Sequence, residues 1–252
     1  MPLEADKTIV DVLSRQAERR RGQTCFAFAA DAERGGGSCT FDGLYAATQV
    51  VARSLGRRGL YRRPVLLVYR PGLDFVAVFF ACLSAGVVAV PLLPPRSAAE
   101  SGHLLRVALA SGANLIFSDG RTQRALCSAW EGAPSAAARV VPLEWPRLDP
   151  PVPLRREPRT LPPRPQDLAY LRYSVDLAGL LRCQVFSHAT LLARYAGDRN
   201  SAGQACLLNA IVASVLQPEP EGDIATPTPQ PARRTASWRL DVPALQPNDA
   251  HS

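Results

Sequence analysis

Between Tyr173 and His188 the chain reads YSVDLAGLLRCQVFSH. A hydroxyl at Ser174, a glycine at Gly179 and a guanidinium at Arg182 are the ingredients of an anion-holding turn. Such a turn needs inward backbone N–H groups, hydroxyl donors and a cation. Other side chains in the stretch oppose that chemistry. Val175, Leu177 and Ala178 have no donor to offer, and Asp176 brings a carboxylate to a place meant for an anion. Ser187 followed by His188 reads as the N-cap of a helix over 188–195.

Little else in the sequence has chemistry-bearing spacing. The six cysteines, at 25, 39, 82, 127, 183 and 206, make no C-x-x-C pair, and in a chain of 252 residues they read as reduced, mostly buried thiols. His103, His188 and His251 have no ligand-spaced partners, so a metal site has no support. There is no G-x-S-x-G elbow and no G-x-x-x-x-G-K loop. The net charge of +7 comes from scattered arginine, without the basic and aromatic interleaving of a nucleic-acid surface. No basic region followed by an apolar run opens the chain, so a secretory signal is not expected and the expected location is cytoplasmic.

The elements that must position the stretch follow from patterning. Thr8, with Asp11 three residues on, predicts a capping box opening a helix whose inner face is Ile9, Val12, Leu13 and Ala17. Cys25–Ala29 and Cys39–Phe41 read as strands joined across the glycine-rich Arg34–Ser38, and Asp42 as the cap of a second helix. Pro64–Tyr69 reads as a strand, Leu73–Leu83 as a buried helix and Val87–Val90 as a buried strand. Phe75–Leu93 is uncharged over 19 residues. Gly86 and Pro91 interrupt it, which favours helix, turn and strand over a membrane span. A helix over 103–110, strand 114–117, helix 122–130 and strand 140–143 complete a β-α-β-α-β order. That order implies an α/β fold with a mostly parallel, doubly wound sheet and flanking helices.

Residues 144–166 hold eight prolines and five arginines and read as a loop. Asp167–Tyr173 reads as a strand, 205–216 as a short helix, and 218–252 as a proline-rich disordered tail. The organisation expected is therefore one α/β subdomain over 5–195, a short helical extension over 196–217, and the tail.

Laid without a gap on the phosphate-binding motif of adenylate-forming enzymes, roughly Tyr-Thr-Ser-Gly-Ser-Thr-Gly-x-Pro-Lys-Gly-Val-x-x-Ser-His, the stretch keeps Tyr173, a hydroxyl at Ser174, Gly179 and Ser187-His188. Upstream, Tyr69, Pro71, Gly72, Leu73, Asp74 and Phe75, then Cys82, Leu83, Ala85 and Gly86, then Pro91, Pro94 and Pro95 resemble the fatty-acyl-AMP ligase branch of that superfamily; Arg70 and Ser84 depart. The resemblance runs over about residues 5–195 and implies a partial adenylate-forming fold. The activity it implies is ATP- and Mg-dependent activation of a fatty acid to an acyl-adenylate, then transfer to a carrier-protein thiol.

Within that frame Ser174, Gly179 and Arg182 are what remains of the ATP-phosphate motif. Val175 stands for a serine, Asp176 for a glycine, Leu177 and Ala178 for a serine and a threonine, Leu181 for the proline, Arg182 for the lysine and Cys183 for a glycine. The motifs the family carries further along have no counterpart here. The expectation is a truncated, catalytically inactive relative with no catalytic residue, no metal and no tightly bound cofactor. The alternatives are a non-catalytic partner of an intact acyl-AMP ligase, an acyl carrier protein or a polyketide synthase, and an enzyme completed in trans. A bare sheet edge would also allow a homo-oligomer.

Overall fold

The computed structural model describes residues 7–29, 37–129, 139–142, 162–176, 178–195 and 204–216. Most of the Pro/Arg-rich loop, the 218–252 tail and Leu177 lie outside the described residues.

The chain opens with helix α1 (Ile9–Arg19), and its predicted capping box is formed: Asp11 N–H donates to Thr8 Oγ1, and Thr8 N–H donates to the Asp11 carboxylate. Strands β1 (Thr24–Phe28) and β2 (Gly37–Thr40) form an antiparallel pair. The helix that follows, α2 (Phe41–Arg57), is capped by Thr40, whose hydroxyl accepts from Gly43 N–H. Asp42 is not the cap; its carboxylate accepts the N–H of Gly22 at 2.9 Å and so ties the end of α1 to the start of α2. Thr40 won because the hydroxyl three residues before Gly43 already satisfies the orphan donor.

Five parallel strands and one antiparallel strand form the main sheet, in the order β6-β5-β3-β4-β7-β8. They are β3 (Pro64–Val68), β4 (Val88–Leu92), β5 (Leu115–Ser118), β6 (Arg139–Pro142), β7 (Leu168–Val175) and β8 (Leu181–Ser187). The helices between them are α3 (Leu73–Ala85), α4 (Ala98–Ser111) and α5 (Gly120–Ala129), with α6 (His188–Arg194) and α7 (Gln204–Leu216) after β8. The α4 helix begins at Ala98, before His103, because Ser97 caps it and Glu100 closes back on Arg96 N–H.

Alternate residues of β3 serve two cores. Val65 and Leu67 face the larger one, with α1, α2, α3, α6 and α7, and Leu66 and Val68 face the smaller one against α4 and α5. A continuous apolar strand has this burial on both faces because helices cover both. The α3 helix is apolar all round, with every side chain from Phe75 to Ala85 buried. It ends at Gly86, whose φ of +63° lies in the left-handed region. A Cβ there would stand 2.6 Å from the Tyr61 ring, so Gly86 serves both the turn and a close approach. The uncharged run is thus helix, turn and strand. Among the described residues no helix is long and apolar enough to cross a membrane. Leu207, Leu208, Ile211 and Val212 of α7 are buried in the larger core beside α1 and β1.

Candidate functional site

The stretch from Tyr173 to His188 is the arm of a β-hairpin. Strand β7 leaves the sheet interior beside β4 and returns as β8, with Tyr173 opposite Cys183, Ser174 opposite Arg182 and Val175 opposite Leu181. Strand β8 is the element that sequence reasoning did not anticipate. Its alternation is blurred by Arg182 and Gln184 on one face, with exposed Cys183 and Val185 on the other.

Asp176 organises the tip. One carboxylate oxygen accepts N–H groups of Ala178 at 3.0 Å and Leu180 at 2.9 Å, and the other pairs with Arg182 Nε at 2.8 Å. Backbone bonds close the same turn, from Asp176 N–H to the Leu180 carbonyl and from Gly179 N–H to the Asp176 carbonyl. Gly179 sits at φ +77° with open space around it, so it meets the turn's dihedral and nothing else. The Leu180 N–H foremost, with the Arg182 guanidinium, holds the Asp176 carboxyl below its usual range.

The three sequence-predicted residues therefore come together in part. Ser174 and Arg182 are cross-strand neighbours on one face, and Gly179 lies at the tip. The donors that a phosphate would need are engaged elsewhere: the 178 and 180 amides and Arg182 Nε all point to the Asp176 carboxylate. As they stand, these residues do not fit a nucleoside triphosphate, because its oxygens would compete with a fixed anion for the same donors. Among the described residues no group of His, Cys, Asp and Glu is arranged to hold a metal.

The hairpin's base is packed by aromatic rings. The rings of Tyr170 and Phe186 stack at 4.5 Å, and Phe79 of α3 meets Tyr170 edge-on at 5.8 Å. Burial pushes the Tyr170 hydroxyl up to about 12. Ahead of β7, Asp167 pairs with Arg62 at 2.6 Å and accepts Arg164 N–H at 2.8 Å. Burial works against its charge, but these donors outweigh it and leave the carboxyl below its usual range. Ser187 caps α6 as expected, accepting Thr190 N–H at 3.1 Å.

His188 is fully enclosed, and neither ring nitrogen has a hydrogen-bond partner. Burial lowers it to about 4, against a smaller opposing pull from Asp167 and Asp11. An imidazole this enclosed is a neutral packing group, held where no ligand reaches it.

Comparison with known proteins places this fold. The sequence pattern of the AMP-binding enzyme family matches residues 13–212. Disco-interacting protein 2 homolog B of Homo sapiens is 32% identical over 156 residues, which are 59% of this chain and 10% of that protein. The long-chain-fatty-acid–AMP ligase FadD26 of Mycobacterium marinum is 26% identical over 199 residues, 77% of this chain and 33% of the ligase. The fold superposes on the fatty acyl-adenylate ligase from L. pneumophila, solved with acyl adenylate and pyrophosphate, with a TM-score of 0.62 at 20% identity, covering 77% of this chain and 32% of that one. The chain thus spans a tenth to a third of the length of these relatives.

Proposed function

Because the chain belongs to the AMP-binding enzyme family, we propose that these 252 residues by themselves form a ligase-like scaffold that does not activate a carboxylic acid. The parent activity is ATP-dependent conversion of a fatty acid to its acyl-adenylate, for transfer to a carrier protein. The observation that carries the reading is the Asp176 carboxylate, which takes the tip amides and Arg182 for itself. The hydroxyl-poor run Val175–Ala178 supports it, since there is little else with which to hold a phosphate.

The test is pyrophosphate exchange into ATP with a panel of fatty acids and Mg, beside amide exchange on the same preparation. The expected result is no exchange above background and no added protection over 174–182 with Mg-ATP. Fatty-acid-dependent labelling of ATP would overturn the reading.

A second reading, a non-catalytic partner of an intact ligase, a carrier protein or a polyketide synthase, is favoured by the hairpin's other face. On that face Leu171, Tyr173 and Leu181 pack against the smaller core, while Val175 and Val185 are left 37% and 56% exposed. Uncovered apolar area of this kind marks interaction surfaces. The relative named for its interaction with Disco supports a binding role in this lineage. Sedimentation alone and with an intact fatty-acyl-AMP ligase separates the outcomes: co-migration lost in Val185→Lys supports a partner role, and concentration-dependent self-association supports a homo-oligomer at the β8 edge. Adenylation that appears only on mixing would instead favour an enzyme completed in trans.

A further inference from the structure

Strands β1 and β2 bring two thiols together. The Sγ atoms of Cys25 and Cys39 are 3.7 Å apart, and both residues are buried in the larger core. The pairing explains the approach. Thr24 is opposite Thr40 and Phe26 opposite Cys39, so Cys25 is the extra residue of a bulge. A bulge sets two residues against one, which puts Cys25 and Phe26 together beside Cys39. The other described cysteines lie on different elements: Cys82 is buried within α3, and Cys127 and Cys183 are exposed on α5 and β8.

The geometry points to Cys25 and Cys39 as a disulfide-forming pair, closed by exchange with a small-molecule disulfide of the oxidised-glutathione type. A disulfide bond is about 2.0 Å long, so the sulfurs need to approach by roughly 1.7 Å from their 3.7 Å separation. Rotation at the two Cα–Cβ bonds, with the give of the bulge, accommodates that. Adjacent strands about 4.8 Å apart also lie within the Cα span that a disulfide bridges.

The step balances without further reagents. One protein thiolate attacks a sulfur of the glutathione disulfide, whose S–S bond breaks and releases one glutathione thiolate. The second protein thiolate then attacks the protein sulfur of the mixed disulfide, forming the Cys25–Cys39 bond and releasing the second glutathione. Two protein thiols are oxidised, one small disulfide is reduced to two thiols, and the two protons pass to the departing thiolates.

In the closed fold the thiols are shielded. The hydrogen bond with Cys39 and then burial push the Cys25 thiol far up, so little thiolate is present. Exchange accordingly runs through opening of the β1–β2 pair, and the product holds that pair shut immediately before the Thr40 cap of α2. Oxidation would thus tighten this corner of the core.

The test uses the full chain equilibrated with excess oxidised glutathione at neutral pH, quenched by acid, alkylated in denaturant and cut with trypsin. The two cysteines fall on separate peptides, 22–34 and 35–53. The expected result is a linked 22–34/35–53 peptide as the main cystine product. Its formation should speed up in mild urea, and the oxidised chain should unfold at a higher urea concentration than the reduced one. In Cys39→Ser the linked peptide and the stabilisation should both vanish. Recovery of Cys25 and Cys39 as alkylated thiols, or each as a glutathione adduct, while Cys127 and Cys183 react would overturn the pairing. The peptide map of the unaltered chain decides even where the variant fails to fold.

Discussion

Two glycines, Gly86 and Gly179, sit in the same left-handed region at φ +63° and +77°, yet they belong to opposite regimes of this molecule. Around Gly86 the chain from β3 to β4 is interior on both faces, and a single methyl would strike Tyr61 at 2.6 Å. Around Gly179 the hairpin tip is open, and a methyl would meet nothing within 4 Å. In the first region packing enforces the pattern whatever the protein does. In the second, only the dihedral of the turn asks for glycine.

The comparison is tested hardest at the hub of the interior region. Phe79 is fully buried and contacts Phe75, Phe80 and Tyr170. Phe79→Ala should cost about 4 kcal/mol of unfolding free energy in urea titration, since α3 is closed on all sides and cannot collapse into the gap.

His188 gives the next effect, and its sign follows from linkage. Its folded value, about 4, lies below the ordinary histidine value of 6.5, so the unfolded chain takes up the proton first as pH falls. The stability is therefore whole above about 6.5 and is lost on descending through about 4, by about 3 kcal/mol at 1.36 kcal/mol per unit. The Asp167 and Asp11 carboxylates oppose the shift and only reduce it. Comparison with His188→Leu isolates the imidazole: urea midpoints at pH 7 and 4.5 should diverge for the parent chain and differ less for the variant.

Much of this interior could be read from the sequence. Continuous apolar runs located β3, α3 and β4, and the Thr8–Asp11 spacing gave the first capping box, because local patterning and burial there demand the same residues. The hairpin was harder. Three hydroxyls were missing and a carboxylate had been added, which argued against phosphate binding. What Asp176 does instead could not be read, because its partners are two backbone amides and a side chain across the turn. Aspartate at the first position of a four-residue turn with glycine at the fourth, as in Asp176 to Gly179, is a turn signal, and weighting it above the family alignment would have found β8. The Asp42 cap failed for a similar reason, with two candidates two residues apart and only the backbone to choose between them.

The two glycines can be set against each other directly. Gly86→Ala should cost about 2 kcal/mol, the left-handed penalty plus displacement of Tyr61 from its contact with Arg62 at 5.3 Å. Gly179→Ala should cost about 1 kcal/mol, from the dihedral alone. Equal losses in urea titration would break the contrast between a packed and an open glycine.

The smallest effect is local, and it asks whether the tip is its own ligand. In Asp176→Ala the amides of Ala178 and Leu180 lose their shared acceptor and Arg182 loses its partner. Amide exchange at these two positions should accelerate, with the amides of β3 unchanged, because exposed ion pairs add little to global stability. Acidification of the parent chain should produce the same local opening. The Asp176 carboxyl lies below its usual range, so its hold on the tip is complete above that range and released as pH falls through the lowered value. Removing the anion also frees the amides and the guanidinium that a phosphate would need. If Asp176→Ala gains Mg-ATP-dependent protection over 174–182, the carboxylate is the element that closes the site. If it gains none, the absent hydroxyls at 175, 177 and 178 suffice to abolish binding, and the tip is a structural turn with or without its aspartate.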